Sequence, residues 1–187
     1  PSVDESVARG FPEMADPLAV LSKAGVDPAD VETVVLSHLH WDHVANLALF
    51  PRARIVVQAR EVSFYLGDDR RFAQIDRHFS PVDLQARLVG DRAQIVDGDV
   101  ELTPGIRLIL AGGHTPGLQM VRVETRRGSA LITSDAVPLG RNLKDMIAPG
   151  ILTSLPEALH ALERARSERT DWVLAGHDPE AWLRFAK

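Results

Sequence analysis

The chain of 187 residues contains no cysteine, and this absence removes both disulfide bonds and thiolate metal ligands. No apolar run approaches the roughly 18 residues that a membrane-spanning helix needs, so we expect no membrane span in the sequence shown. Lysine and arginine form no run longer than two under a net charge of −5, which speaks against a nucleic-acid partner. We therefore expect a protein that acts on a small molecule, with histidine and aspartate as its candidate metal donors.

The composition is that of one globular domain. Hydrophobic residues make up 45% of the chain, enough for one substantial core, and no internal repeat or low-complexity segment divides it. We expect a single domain over residues 1–187 and a cytoplasmic location. This expected location takes no account of a signal peptide, which would precede the sequence shown.

A dense histidine cluster is the main functional signal. The segment Ser37-His38-Leu39-His40-Trp41-Asp42-His43 places three imidazoles and a carboxylate directly after an apolar run at Val31–Leu36. Further candidate donors, His114, Asp135 and His177, also follow apolar, strand-like runs. The alternative is a polar loop whose histidines bond to backbone groups, but histidines at this spacing after a buried strand favour a metal site.

The hydrophobic pattern predicts an α/β fold that brings these donors to one edge. Predicted strands, besides two short ones joined by an Asp97-Gly98 turn, are Val31–Leu36, Arg54–Gln58, Ile106–Leu110, Gln119–Thr125, Ser129–Ser134 and Trp172–Ala175. Predicted helices are Pro17 to Gly25 with Asp16 as N-cap, Ala59–Tyr65, and a helix after Ser154 that ends near Arg166. On the last of these, Leu155, Leu159 and Leu162 are expected to be buried, and His160 to be solvated.

The order of these motifs resembles the metallo-β-lactamase superfamily. The histidine cluster, Gly113-His114-Thr115-Pro116-Gly117-Leu118-Gln119 and Ala175-Gly176-His177-Asp178-Pro179 are most similar to the acyl-homoserine-lactonase-like branch, and the resemblance spans roughly residues 15–185. It implies an αββα sandwich of two mixed β-sheets flanked by helices.

The resemblance also implies a dinuclear site. Seven ligands are implied. One ion would be held by His38, His40 and His114, and the other by Asp42, His43 and His177. Asp135 would bridge the two ions. The ions would be Zn²⁺, with iron or manganese as alternatives. Asp42 would be catalytic as well, because it would orient a metal-bridging hydroxide and take up its proton.

Two departures from the family pattern bear on the substrate and on the start of the chain. Lactonases of this branch carry a tyrosine three residues past the bridging aspartate, where Pro138 stands here, and Tyr65 is the only tyrosine in the chain. Family members also begin with a strand hairpin, whereas Pro1 to Glu13 shows no strand pattern, so we expect N-terminal strands to be missing. A sheet edge left unpaired in that way would favour a homodimer.

Candidate substrate contacts are less firmly indicated than the metal ligands. Tyr65 is a candidate replacement for the missing tyrosine, and His78 lies in an irregular stretch that suits either a substrate lid or a mobile loop. Arg141, with Lys144, follows Asp135 closely enough to reach a ligand carboxylate, although surface solvation is the ordinary state of both. The aromatic residues in and beside the irregular stretch around His78 suit either a substrate pocket or ordinary core packing.

Three functions fit this sequence. The first is a dinuclear metal-dependent hydrolase that opens a lactone or a related ester through a metal-bridging hydroxide. The second uses the same site on a thioester, as in the glyoxalase II branch, or on a β-lactam. The third is a di-iron redox or metal-binding protein, because histidine and aspartate bind iron as well as zinc.

Overall fold

The computed structural model describes residues 15–72, 88 and 90–185, and they fall into two compact units. The first unit consists of the chain up to Val57 together with Tyr65–Ile95. The second consists of Gln58–Phe64 together with the chain from Val96 onward. Within the described ranges, no helix has the length and apolar character needed to cross a bilayer. The expectation of a single domain stays a prediction.

The described helices are short, and their ends follow local sequence signals. They are α1 (Pro17–Lys23), α2 (Trp41–Val44), α3 (Ala59–Leu66), α4 (Gly140–Asp145), α5 (Leu155–Ser167) and α6 (Pro179–Phe185). The carboxylate of Asp16 accepts a hydrogen bond from the Leu18 N–H at 3.0 Å, and Pro17 occupies the first helical position of α1. Gly25, with φ of +73°, follows the end of that helix, as the sequence predicts.

The first unit is built on a three-stranded sheet of order β1-β2-β3, with β1 at Thr33–Val35, β2 at Arg54–Gln58 and β3 at Ala93–Val96. β1 and β2 are parallel, and the Leu36 N–H extends their pairing by bonding to the Val56 carbonyl at 2.9 Å. β1 is shorter than predicted because a 3₁₀ turn at Pro28–Asp30 holds the Val31 N–H. The pairing therefore continues to the residue before the histidine cluster.

The second unit contains a five-stranded sheet of order β4-β5-β6-β7-β8. Its strands are β4 (Val100–Thr103), β5 (Ile106–Leu110), β6 (Gln119–Thr125), β7 (Gly128–Ser134) and β8 (Trp172–Ala175). Neighbours are antiparallel except for β7 and β8, which are parallel. A parallel last pair brings the ends of β7 and β8 to the same edge, so Asp135 and His177 emerge side by side.

The Asp97-Gly98 turn does not form a hairpin within one sheet, because β3 and β4 belong to different sheets. The side chain of Gln58 takes the place of a partner strand: its amide donates to the Gly98 carbonyl at 2.8 Å and accepts from the Gly98 N–H at 3.0 Å. Gln58 also donates to Gln119 at 2.9 Å, and both glutamines are fully buried.

One expected buried face is wrong. On α5, Leu155 is 53% exposed and Leu159 is 38% exposed, while Leu162 is buried as predicted. The buried face consists of Leu162 and three alanines: Ala158, Ala161 and Ala165. Small side chains on this face let the helix approach the sheet and its loops closely, which a leucine stripe would prevent. His160 is exposed, as expected.

Candidate functional site

The histidine cluster lies at the end of β1 in the first unit. The rings of His38 and His40 are buried, with centroids 4.7 Å apart, and the centroids of His38 and His43 lie 4.1 Å apart. Donor atoms of His38 lie within 4.8 Å of donor atoms of both His40 and His43, and the Asp42 carboxylate is equally near His43. The structure therefore brings together the four predicted ligands of this segment.

The turn into α2 explains this grouping. His40 is the N-cap of α2, in extended conformation with φ −66° and ψ 149°, so the chain reverses directly after it. Asp42 and His43 then occupy the first turn, with Asp42 Oδ2 3.3 Å from His43 Nε2. Leu39 and Val44 are buried and fix the segment from inside. The alternation of buried aliphatic and donor residues is what the sequence pattern encodes.

Tyr65, the candidate substrate contact, lies beside this cluster. It is only 2% exposed, and its ring meets the His40 ring edge-on, with centroids 5.9 Å apart. This burial fits the core-packing alternative for the aromatic ring, while its position next to a predicted ligand keeps the hydroxyl a candidate. Its role as a substrate contact stays a prediction.

His114 lies in the second unit, on the loop between β5 and β6. The loop closes on itself because the N–H groups of Ala111 and Gly112 both bond to the Leu118 carbonyl, at 2.9 and 3.0 Å. The His114 ring is oriented by its Nδ1, which lies 2.6 Å from the Ile151 carbonyl oxygen. A carbonyl can only accept, so Nδ1 carries the proton and the Nε2 lone pair is left for a metal.

Asp135 joins two histidines within the second unit. Its Oδ2 lies 3.3 Å from His114 Nε2, and its Oδ1 lies 3.1 Å from His177 Nε2. Asp135 follows Ser134, which has a positive φ of 46°. It lies in a tight turn in which the Ala136 N–H bonds to the Thr133 carbonyl at 3.2 Å. One carboxylate that faces two imidazoles with separate oxygens has the geometry expected of a bridging ligand.

His177 follows β8 and is held through its backbone. Its N–H donates to the Pro138 carbonyl at 2.8 Å, and Gly176 packs so closely that a Cβ would lie 2.7 Å from the Ser134 carbonyl. The Asp178 carboxylate accepts from the N–H groups of Gly140 at 2.8 Å and Glu180 at 3.0 Å. These bonds tie the Asp178 carboxylate to the first residues of α4 and α6.

Of the remaining sequence candidates, one is exposed and one lies outside the described residues. Arg141 is on α4 with its side chain 83% exposed and paired with Asp145 at 3.0 Å. His78 lies outside the described residues. The predicted substrate contacts at Arg141 and His78 therefore stay predictions.

The donor set fits divalent metal ions. Imidazole nitrogens and carboxylate oxygens are the ligands of zinc and of neighbouring metals, and thiolates are excluded by composition. The His114 Nδ1 contact with a backbone carbonyl is the outer hydrogen bond that metal-binding histidines commonly make. A buried Asp135 that approaches two imidazoles is also better explained by cations than by packing.

Two carboxylates that the sequence does not mark as site residues contact the His114 loop. Glu61 on α3 is fully buried and accepts from the Gly117 N–H at 2.9 Å. Glu157 on α5 accepts from the Gly113 N–H at 3.3 Å. The sequence places Glu157 only in the first turn of the helix predicted after Ser154, and no periodic pattern marks Glu61.

Comparison with known proteins decides the family. The model of the Metallo-beta-lactamase superfamily matches residues 4–177, which include every predicted ligand. The chain belongs to this superfamily. The predicted metallo-β-lactamase fold is thereby confirmed, with its two sheets flanked by helices.

The similar relatives are lactonases. The chain is 34% identical over 180 residues to the N-acyl homoserine lactonase AttM of Azorhizobium caulinodans, across 91% of this chain and 66% of that protein. It is 31% identical over 167 residues to the N-acyl homoserine lactonase AiiA of Bacillus thuringiensis subsp. kurstaki, across 86% and 61%. These matches confirm the resemblance to the acyl-homoserine-lactonase-like branch.

A solved structure of this branch shows the same architecture. It is an N-acyl homoserine lactone hydrolase with the product N-hexanoyl-L-homoserine bound at its catalytic metal center. The TM-score is 0.72 at 27% identity, over 88% of this chain and 63% of that one. The chain spans 66% of the length of the AttM relative and 61% of the length of the AiiA relative.

Proposed function

We propose that this protein is a dinuclear metal-dependent hydrolase that opens a lactone, with N-acyl homoserine lactones as the substrate class. The observation that carries the proposal is the Asp135 carboxylate, whose two oxygens lie 3.3 Å from His114 and 3.1 Å from His177. Superfamily membership and the named activity of the relatives support it.

The proposed ligand set is the one that the family resemblance implies, with zinc as the ion. One ion would be held by His38, His40 and His114, and the other by Asp42, His43 and His177. Asp135 would bind both ions. Such a pair of ions supplies two things when bound: a water whose pKa falls toward neutrality, and polarisation of the substrate carbonyl.

The protein's own groups would orient the reaction. Asp42 Oδ2, 3.3 Å from His43 Nε2, is the carboxylate that would position the attacking water and accept its proton. The Ile151 carbonyl would hold His114 in one tautomer, because its oxygen lies 2.6 Å from Nδ1. Each of these contacts is made within its own unit, so each group would be oriented by its own neighbours.

A lactone's carbonyl oxygen would take a further donor from elsewhere in the chain, since Pro138 cannot supply a hydroxyl. We propose Tyr65 for this role because its ring contacts His40 at 5.9 Å between centroids. The alternative bonds, a thioester or a β-lactam, would use the same metal ligands and differ only in such contacts. The homodimer and the cytoplasmic location stay predictions.

A metal count followed by a substrate panel tests the proposal. Protein purified without added metal should contain close to two zinc ions per chain and should open N-acyl homoserine lactones faster than it cleaves S-acyl glutathione. Asp135→Asn should lose both metal and activity, whereas His160→Ala, an exposed histidine on α5, should keep both.

Three outcomes would contradict the proposal. Little or no metal would refute a dinuclear site. Faster turnover of the thioester would establish the second candidate instead. Two iron atoms with a visible absorption band and no esterase activity would establish the redox candidate.

A further inference from the structure

We propose that Glu61 and Glu157 are positioning residues for His114, which hold the two ends of its loop and slow the release of the metal ion that His114 binds. The inference rests on the proposed metal site. It concerns residues that are not ligands themselves and that lie on helices α3 and α5.

Both carboxylates accept from backbone N–H groups on either side of His114. Glu157 Oε2 accepts from Gly113, one residue before the histidine, at 3.3 Å. Glu61 Oε2 accepts from Gly117, three residues after it, at 2.9 Å. These two bonds tie the loop to α3 and α5 in addition to its own backbone pairing.

The loop is built for close approach by the two helices. A Cβ on Gly117 would overlap the backbone nitrogen of Glu61 and lie 2.5 Å from its Cβ. A Cβ on Gly113 would overlap the backbone of Ala158, which follows Glu157 on α5. Glycine at both positions therefore allows the carboxylates to reach the loop backbone.

A salt bridge links the two carboxylate-bearing helices. Arg60, the neighbour of Glu61 on α3, donates to Glu157 Oε1 at 2.8 Å. Arg60 and Glu61, consecutive residues of α3, thus contact Glu157 and the Gly117 N–H, respectively. Since Arg60 and Glu157 are each more than one-third exposed, this pair adds orientation and contributes little stability.

Full burial makes Glu61 the more informative residue. A carboxylate without solvent contact gives up its hydration, and such groups are retained where protein donors compensate for it. Fixing the loop would keep His114 Nε2 in place after a metal–ligand bond opens, so that the bond re-forms before the ion escapes. The effect should therefore appear in metal release.

Zinc release to an excess of chelator, followed with a metallochromic dye well below the unfolding temperature, tests this role. The wild-type protein should release two ions in two phases, and the phase that His114→Ala abolishes identifies the ion concerned. Glu61→Ala should accelerate that phase by about 10- to 100-fold, the usual effect of removing a partner that orients a ligand. The other phase should not change.

Variants of graded severity keep the test decisive. Glu61→Gln should give a smaller acceleration of the same phase, because an amide oxygen still accepts from the Gly117 N–H, and it serves if Glu61→Ala fails to fold. Glu157→Gln should act on the same phase, and Glu163→Gln, an exposed position on α5, should change neither.

The outcomes separate this inference from the proposed function. Equal acceleration of both phases would indicate general destabilisation and would overturn the positioning role. Unchanged release from a wild-type-like, zinc-loaded Glu61→Ala would overturn it as well, while leaving the metal site intact. A wild-type protein that binds no zinc would overturn the proposed site and this inference together.

Discussion

Replacing Gly113 by alanine tests how tightly the His114 loop is packed against α5. Gly113 has a φ of +86°, a conformation that strains any residue with a side chain. The added methyl group would also overlap the Ala158 backbone and lie 2.9 Å from the Ala158 Cβ. Two independent costs therefore act at one position.

The two costs can be estimated separately. The positive φ costs about 1–2 kcal/mol for an L-residue. Forcing a methyl group into a closely packed contact costs about 1–3 kcal/mol more. We therefore expect Gly113→Ala to lower the free energy of unfolding by about 2–5 kcal/mol, which corresponds to a fall of roughly 4–20 °C in Tm for a chain of this size.

Three other glycines supply matched controls. Gly98 has a φ of +76° with nothing near its Cβ position, so Gly98→Ala carries the strain alone. Gly117 has close contacts without a positive φ, so Gly117→Ala carries the overlap alone. Gly150 has neither feature, and Gly150→Ala should stay within about 0.5 kcal/mol of the wild type.

Urea denaturation of chelator-treated protein, followed by circular dichroism, measures these differences without a contribution from metal loss. We expect Gly113→Ala to be the least stable variant, with a loss of unfolding free energy close to the sum of the losses for Gly98→Ala and Gly117→Ala. A Gly113→Ala variant as stable as Gly150→Ala would refute the packing argument.

The remaining predictions concern single side chains. Asp42→Ala should lower kcat at least about a hundredfold, and normal turnover would show that the proton acceptor lies elsewhere. Tyr65→Phe, which keeps the buried ring, should lower kcat for a lactone without changing zinc content, and unchanged kinetics would remove the hydroxyl from the proposed site. Arg141→Ala should raise KM for an anionic substrate and leave a neutral ester unaffected, and equal effects on both would contradict it. The Ser129 N–H holds the pKa of Asp171 below its usual value of 3.8. The stability from that bond is therefore present above pH 3.8 and is lost as the pH falls through the lowered pKa. The deficit of Asp171→Asn in urea denaturation should accordingly shrink between pH 7 and pH 3, and a constant deficit would refute it.

The sequence predicts well what depends on short-range pattern. The bounds of β2, β5, β6 and β8 agree with the prediction because alternation and turn residues mark each strand locally. The same holds for the histidine cluster, whose donors lie between His38 and His43 and therefore stay close together in most local conformations.

What the sequence does not predict depends on contacts between distant segments. The exposed Leu155 and Leu159 follow a helical apolar pattern as well as the buried alanines do, and packing against the sheet core and the Gly113 loop selects the alanine face. The pairing of Glu61 with Gly117 joins residues 56 positions apart, which no local pattern encodes.

The same distinction limits what the ligands alone can say about the substrate. The metal ions that such imidazoles and carboxylates would hold would serve a lactone, a thioester or a β-lactam alike, because they would polarise the carbonyl group that these substrates share. Selectivity must come from groups that contact the rest of the substrate. Pro138 removes one such group that lactonases of this branch carry, so this chain either supplies the donor from elsewhere or uses a substrate whose carbonyl needs none. A comparison of Tyr65→Phe on a lactone and on a thioester separates these cases: a loss confined to the lactone would place the specificity at the Tyr65 hydroxyl, and an equal loss on both would give that hydroxyl a role that does not depend on the bond cleaved.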